Sequence, residues 1–179
     1  ADQSIRCGDA NTILSGGMES MSNSPYLLTK ARVGLKLGHG KIVDSVIHDG
    51  LWDAYNNMHM GNCAELLASE RKYSRLEQDN YATRSYERSL KAQSQGLFES
   101  EIIPIIKKDK KNNTIEIAED EEPKRVVFDK INKLNPVFDD KGTITAANAS
   151  TLNDGASILL VMSQVRAKEL GLNPLAKII

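Results

Sequence analysis

The sequence predicts an α/β protein in which strands border a partly helical middle section, and three observations support this class. A strand-like segment, residues 11–15, ends at a glycine pair near the start of the chain. A capped helix is predicted from Ser74 to about Gln95. A loop of small residues, 145–155, leads into an apolar segment, 156–162, that is typical of a buried strand. Open α/β folds place ligand sites where strands lead into loops, so both loops are candidates.

Length and composition set the class of protein. The 179 residues suit one domain or one and a fraction, and 40% hydrophobic with 26% charged residues is typical of a soluble globular protein. A formal net charge of -1 gives no basic field for nucleic acid or an anionic membrane, and no apolar stretch approaches membrane-spanning length. Two cysteines form no disulfide framework, which favours a reducing compartment.

The positions of glycines and a helical periodicity predict the first strand and the first helix of the middle section. We expect the strand at residues 11–15 to stop at Gly16 and Gly17, with residues 18–22 opening into a loop. After an irregular stretch, a helix is predicted to begin beyond Gly61, with Cys63 and the leucines at 66 and 67 on one apolar face.

The long middle helix has a clear start and end. Ser74 and Glu77 form the spacing of a capping box, and Gly96 suits the position that terminates a helix after Gln95. Leu76, Tyr86 and Leu90 are expected on its buried side.

A hairpin is predicted next, with strands at residues 101–106 and 114–117 joined by a turn at Asn112 and Asn113. The lysine-rich tip, residues 107–111, has no interleaved aromatic residues, which favours a solvated tip over a nucleic-acid site. The acidic run 119–122 is expected to be exposed.

The C-terminal elements begin with the apolar strand at 156–162. Ser163 is placed to cap a helix over residues 164–170, which Gly171 ends. Residues 174–179 are predicted to begin another strand, and a chain that stops inside a strand is expected to be a piece of a longer polypeptide.

No pattern of nucleophile and base is evident from the residues alone. His39 and His48 are interpreted as solvated, and Cys7 and Cys63 as structural rather than nucleophilic. His59 lies between two methionines, which suits either a pocket for a flexible acyl chain or the edge of a core.

Other binding signals are sparse. There is no zinc-ligand spacing and no phosphate-binding P-loop. Arg125 and Lys130, five residues apart around an apolar stretch, could bind a phosphate. The loop at 145–155 is open to two readings from composition alone, an ordinary connector or a loop whose backbone approaches a ligand closely.

Three segments together resemble motifs of the thiolase family. Residues 15–22 read S-G-G-M-E-S-M-S, residues 58–65 read M-H-M-G-N-C-A-E, and residues 148–156 read N-A-S-T-L-N-D-G-A. Their order and spacing also fit that family, and the resemblance covers essentially the whole chain. It is strongest to the mitochondrial branch that acts on acetoacetyl-coenzyme A.

The resemblance implies a partial thiolase fold, with a layered αβαβα core and an inserted loop domain. Residues 1–24 would close the N-terminal half of that fold, and residues 25–142 would form the coenzyme A-binding insert. Residues 143–172 would return to the N-terminal half, and residues 173–179 would start the C-terminal half.

The activity implied is that of an acetyl-CoA C-acetyltransferase. Such an enzyme condenses two acetyl-CoA molecules to acetoacetyl-CoA or cleaves acetoacetyl-CoA with coenzyme A through a cysteine acyl-enzyme; 2-methylacetoacetyl-CoA is a further expected substrate. The family's nucleophilic cysteine, G-H-P histidine and C-x-G cysteine would lie outside this chain. The segments Gly38-His39-Gly40 and Cys7-Gly8 only mimic these motifs, so no catalytic residue is assigned.

The resemblance also implies binding residues. His59 and Met60 would border the substrate pocket. Val127 stands where an acidic residue is expected, so it could contact coenzyme A only through main chain or apolar surface. Residues expected to contact coenzyme A are Tyr86, Arg125, Val126, Val127, Lys130 and Ser150. Residues expected to hold a potassium ion are Tyr86, Ala146, Ala147 and Ala149.

The expected partners are acyl-CoA thioesters and further copies of the chain in a tetramer, with neither nucleic acid nor a membrane. The implied location is mitochondrial, with the cytoplasm as the alternative. Two other functions stay open at this point, a non-catalytic subunit that binds coenzyme A or a partner, and a 3-ketoacyl-CoA thiolase of broader chain length.

Overall fold

The strand near the N-terminus continues straight through the glycine pair at which the sequence predicts its end. A computed structural model describes residues 1–179. In it, β1 spans Thr12–Ser20 and pairs antiparallel with β8, Asp154–Met162, along its whole length. The predicted stop at Gly16 and Gly17 is therefore wrong, because a full-length partner strand holds both glycines in an extended conformation.

Gly16 is required by the close approach of β8. A Cβ atom at Gly16 would lie 2.2 Å from the carbonyl oxygen of Ser157 and 2.8 Å from the Cα atom of Ile158. A Cβ atom at Gly17 would have no neighbour within 4 Å. The first glycine of the pair thus serves strand packing, and neither glycine serves as a breaker.

This ribbon belongs to the first of two compact units, which comprises Ala1–Tyr26 and Leu152–Ile179. Helix α1, Asp2–Arg6, packs beside β8. Helix α5, Gln164–Glu169, begins as predicted at Ser163, whose Oγ accepts a hydrogen bond from the amide of Arg166.

Two predictions for the first unit are wrong. The apolar residues of β8 are mostly exposed rather than buried, with Leu159 63% accessible, because β8 pairs with β1 alone and only the short helix α1 packs beside it. Residues 174–179 form no strand, since none of the four sheets offers them a partner.

The second unit, Leu27–Thr151, contains the two long helices. Helix α2 spans Met60–Arg71, and α3 spans Arg75–Ser94. The predicted capping box is confirmed, because the Ser74 hydroxyl accepts from the Glu77 amide and the Glu77 carboxylate accepts from the Ser74 amide. Gly96 follows the helix with φ +65°, a left-handed conformation that glycine adopts without a Cβ penalty.

The predicted hairpin is confirmed, although its first strand is shorter than the sequence suggests. Strand β6 spans Ile105–Lys108 and pairs antiparallel with β7, Thr114–Ile117. The lysines at the tip are exposed to solvent, as expected.

Several short elements complete the chain. Strand β4, Trp52–Asp53, pairs antiparallel with β5, Met58–His59, and α4, Glu122–Arg125, carries the end of the acidic run. No helix combines the length and apolar character needed to cross a bilayer. The remaining bounds are β2 Tyr26–Leu27 and β3 Val43–Asp44, with 3₁₀ turns at Met21–Asn23, Ala31–Val33 and Phe128–Lys133 and a π-helical turn at Val46–Gly50.

The interior of the second unit is more polar than the sequence pattern suggests. The side chains of Asp79 and Thr145 are buried, whereas Leu76, expected on the covered side of α3, is 66% exposed. On α2, the expected apolar face is likewise half exposed, and the buried positions are Gly61 and Ala68. The α/β class itself is confirmed, but α2 and α3 pack through small and polar residues.

Candidate functional site

A cavity of about 760 Å³ lies within the second unit, between α3, α4 and the loop at 147–151. Seven residues of α3 line it, and among them are Gln78, Ala82, Tyr86 and Ser89. They recur at intervals of three or four positions and so fall on one face of the helix. The volume is in the range of small-molecule sites in proteins.

One wall of the cavity is a loop that is fixed by the side chain of Asn148. Its Nδ2 donates to Asp79 Oδ1 at 2.9 Å and to the carbonyl of Thr143 at 3.0 Å. Its Oδ1 accepts from the amide of Thr145 at 2.7 Å. The Thr145 carbonyl in turn accepts from the amide of Ala149, which closes a tight turn.

A second carboxylate, Glu65 of α2, fastens the start of the same loop. It accepts hydrogen bonds from the amides of Thr143 and Ile144 at 2.7–2.9 Å and from the Thr143 hydroxyl. Gly142 lies against this carboxylate so closely that a Cβ atom there would be 2.2 Å from Glu65 Oε1. Two helices therefore hold the loop through two acidic side chains.

Arg75 extends this network to the segment after α4. Its Nε donates to Asp79 Oδ2 at 2.7 Å, and a terminal nitrogen donates to the carbonyls of Ile131 and Leu134, both at 2.9 Å. The 3₁₀ turn that contains Lys130 is thereby tied to the same buried carboxylate as the loop.

Tyr86 and Glu122 face each other in the cavity. Burial, followed by the negative charge of Glu122 and a hydrogen bond to it, raises the pKa of the Tyr86 phenol above its usual value. The acidic run was expected to be exposed, but Glu122 is half-buried because the following Pro123 is buried against the cavity. The phenol is therefore held in its neutral form beside a carboxylate.

The cavity wall combines polar groups with a larger share of apolar surface and carries no basic side chain. Its charged members are Glu77 and Glu122. Arg125 and Lys130 are exposed in the neighbouring segment, and Arg125 pairs with Glu121 at 2.5 Å. An anionic group would thus be attracted to the segment that carries Arg125 and Lys130. The cavity itself suits a neutral group or a cation.

The structure brings together some of the predicted binding residues. Tyr86, Ala147, Ala149 and Ser150 line the same cavity. Ala146 is exposed and is not part of its lining. The four residues predicted in the segment after Pro123 also lie outside the lining, and they are Arg125, Val126, Val127 and Lys130.

The two residues expected to border the substrate pocket, His59 and Met60, do not line this cavity. His59 caps α2, with Nδ1 accepting from the Gly61 amide at 2.9 Å, and its ring stacks on Phe138 with centroids 4.9 Å apart. Met60 is 39% exposed. Neither residue lines the cavity beside Tyr86.

The residues that organise the site escaped the sequence pattern. In the sequence, nothing distinguishes Asp79 and Glu65 from other helical residues, or Glu122 from its acidic neighbours. Their partners lie far away in the chain. The only local signal was the spacing of Gln78, Ala82 and Tyr86, which marks one face of α3. The structure contains no group of three or more His, Cys, Asp or Glu side chains that could hold a metal ion.

Comparisons with known proteins identify relatives over the whole chain. The family model described as thiolase, N-terminal domain, matches residues 1–165. An acetyl-CoA acetyltransferase of Yarrowia lipolytica is 49% identical over 179 residues, which is 100% of this chain and 44% of that protein. Proteins of the same description from Schizosaccharomyces pombe and Pseudomonas aeruginosa are 49% and 47% identical, over 99% and 98% of this chain and 45% of each relative. The chain thus spans less than half the length of these relatives.

The pairing of Tyr86 with Glu122 predicts an alkaline loss of stability. Near pH 10 the unfolded chain loses the phenolic proton before the folded one does, so the free energy of unfolding falls as the pH rises towards the folded-state pKa of Tyr86. Glu122→Gln should lower that pKa towards its usual value and reduce the fall, because burial alone remains. Phenolate absorbance during a pH titration measures this.

Glu121→Gln is the matched control, since it removes a neighbouring carboxylate that does not face Tyr86. If both variants titrate like the unsubstituted protein, Glu122 does not control the phenol.

Proposed function

Because this chain belongs to the thiolase family, we propose that the protein in which it occurs is an acetyl-CoA C-acetyltransferase. It condenses two acetyl-CoA molecules to acetoacetyl-CoA or cleaves acetoacetyl-CoA with coenzyme A. We also propose 2-methylacetoacetyl-CoA as a substrate. The residues described here contribute to binding coenzyme A.

The proposed reaction consists of two acyl transfers. A cysteine thiolate takes the acetyl group from one thioester and releases coenzyme A. A base then removes an α-proton from a second acetyl-CoA, and the resulting enolate attacks the acyl-enzyme, forming the carbon–carbon bond of acetoacetyl-CoA and expelling the cysteine thiolate. No catalytic residue is assigned in this chain. We propose that other segments of the complete protein supply the nucleophile and the acid-base residues. The task proposed for this chain is to hold the coenzyme A part of the substrate in place.

The observation that carries this proposal is the convergence of Tyr86, Ser150 and the alanines at 147 and 149 on one cavity. They come from a helix and a loop separated by about sixty residues, yet they surround a space of about 760 Å³. Its aromatic and hydroxyl-bearing wall suits the neutral polar parts of coenzyme A.

The phosphates are proposed to bind outside this cavity. Arg125 and Lys130 are exposed on the segment next to Pro123, where they could form charge-assisted hydrogen bonds to phosphate oxygens. Arg125 also forms an ion pair with Glu121. Val126 and Val127 lie between these basic residues, and Val127 is 53% exposed, so it offers apolar surface.

We keep His59 and Met60 as the proposed border of the acyl pocket. Met60 presents a half-exposed thioether side chain, which suits a short flexible acyl group. The stacking of His59 on Phe138 and its bond to Gly61 fix the ring, so it would shape the pocket rather than move during turnover.

We propose a potassium ion at one side of the cavity. Tyr86, Ala147 and Ala149 line it, and alanine can offer only backbone oxygens, which are hard donors suited to an alkali cation. The Glu122 carboxylate beside Tyr86 adds negative charge. Ala146 is exposed, so it is the weakest member of the proposed set. When bound, the ion would supply positive charge that orders the coenzyme A loop.

The remaining parts of the proposal rest on the resemblance alone. We propose a homotetramer in mitochondria. We also propose the domain division given above, in which the insert comprises residues 25–142; the compact unit Leu27–Thr151 overlaps most of that range.

The phosphate assignment predicts a selective loss of affinity. In the complete protein, Lys130→Ala should weaken coenzyme A binding roughly 10-fold, the value of about one charge-assisted hydrogen bond. Binding of pantetheine, which lacks the phosphates, should not change. Isothermal titration calorimetry measures both ligands.

Lys133→Ala, which removes an exposed lysine at the end of the same 3₁₀ turn, is the control and should leave both affinities unaltered. An equal loss for coenzyme A and pantetheine would contradict the assignment. Absence of coenzyme A binding by the unsubstituted protein would contradict the proposed function.

The potassium assignment predicts a dependence on the cation. Acetoacetyl-CoA cleavage by the complete protein should be faster in potassium chloride than in sodium chloride at equal ionic strength. Tyr86→Phe should reduce this difference because it removes an oxygen donor, whereas Tyr55→Phe, at a 98% exposed position, should preserve it. Equal rates in both salts for the unsubstituted protein would rule out the potassium site.

A further inference from the structure

We propose that Asp79 is a positioning residue for the wall of the coenzyme A site. Acting through Asn148, it fixes the backbone of the segment 147–151. This inference rests on the proposed function, because the wall matters for activity only if the cavity holds coenzyme A. Asp79 itself is not among the residues that line the cavity.

Burial makes Asp79 unusual among the acidic residues of the chain. It is only 4% exposed, and an ionised carboxylate out of water is costly unless it is fully paired. Oδ2 accepts from Arg75 Nε at 2.7 Å, and Oδ1 accepts from Asn148 Nδ2 at 2.9 Å. Both oxygens are therefore committed to partners.

The bond to Asn148 determines which way its amide group faces. A carboxylate can only accept hydrogen bonds, so the amide nitrogen of Asn148 must face Asp79. That orientation directs its second N–H to the carbonyl of Thr143 and its oxygen to the amide of Thr145. If the Asn148 amide were rotated by half a turn, its oxygen would face the Asp79 carboxylate, acceptor against acceptor. Its nitrogen would face the Thr145 amide, donor against donor.

The orientation of Asn148 is transmitted directly to the cavity. Asn148 lies in the wall, and the residues that follow it, Ala149, Ser150 and Thr151, also line the space. A shift of the Asn148 side chain would carry this backbone with it, because the amides of Asn148 and Ala149 both donate to the Thr145 carbonyl, at 3.2 and 2.9 Å, and so move with Asn148 as one turn. A displacement of about 1 Å is enough to impair binding or positioning of a substrate.

Glu65 provides an internal contrast. It fastens the loop at Thr143 and Ile144, ahead of the residues that form the wall. Its role is to attach the loop to α2, whereas Asp79 controls the part of the loop that faces the cavity. The two carboxylates are therefore separable by experiment.

The test is Asp79→Asn in the complete protein, assayed for acetoacetyl-CoA cleavage with varied coenzyme A. We expect KM for coenzyme A to rise about 10-fold while kcat changes less than about 2-fold, the pattern of lost uniform binding. Glu87→Gln is the matched control, because it removes one exposed carboxylate from the same helix and should alter neither constant. A lower melting temperature with unchanged KM would show a purely structural role and would overturn the proposal.

A double substitution keeps the test decisive if Asp79→Asn folds poorly. Exchanging the pair as D79N with N148D restores a donor and an acceptor facing each other, while the Thr143 carbonyl then faces a carboxylate oxygen and Arg75 loses its ionised partner. We expect KM of the exchanged variant to lie below that of N148D alone, in which two carboxylates face each other. Additive effects of the two substitutions on KM would refute the coupling.

Failure of the proposed function and failure of the positioning role give different results. If the unsubstituted protein does not bind coenzyme A, the proposed function fails. Normal binding with unchanged KM in Asp79→Asn overturns only the positioning role.

Discussion

The buried carboxylate of Asp79 is the constraint on which the second unit depends. A charge at 4% exposure is tolerated only because Arg75 and Asn148 each commit a hydrogen bond to it. Arg75 also binds the carbonyls of Ile131 and Leu134, so one ionic centre connects α3 to the segment after α4 and to the loop that precedes β8. Removing Arg75 or Asn148 would leave the Asp79 carboxylate with an unsatisfied oxygen in a low-dielectric environment. Because that loss is costly, the three side chains are held in one arrangement.

Carboxylates serve the same purpose elsewhere in the chain. Glu65 collects the amides that begin the loop, and in the first unit Asp154 accepts from the Ser22 hydroxyl at 2.5 Å and from the Ser22 amide at 3.0 Å. These bonds, the hydroxyl bond first, lower the pKa of Asp154. Asp154 and Ser22 belong to two of the motifs that carry the resemblance, which shows that part of each motif is a clamp between distant segments. The motif residues that face the cavity, such as Ser150, depend on such clamps for their placement.

Local chemistry predicted the elements whose ends are set by neighbouring residues. The capping box at Ser74, the terminating glycine at 96 and the hairpin turn all follow from interactions within a few positions. Local patterns could not predict contacts between residues that are distant in the sequence. Gly16 looked like a breaker until β8 supplied a partner strand, and Leu76 looked buried while Asp79, three positions further, was the residue enclosed. The bond from Asp79 to Asn148 spans 69 positions, and no periodic pattern reports it.

The central claim is that the loop held by Asp79 and Glu65 forms a wall of the coenzyme A site. A crystal structure of the complete protein with coenzyme A tests it most directly. We expect the ligand to contact Ser150 and to lie close to Tyr86, with its phosphates near Arg125 and Lys130 and with the bond between Asn148 and Asp79 intact. Coenzyme A bound away from this cavity, or in it with the bond between Asn148 and Asp79 broken, would contradict the claim.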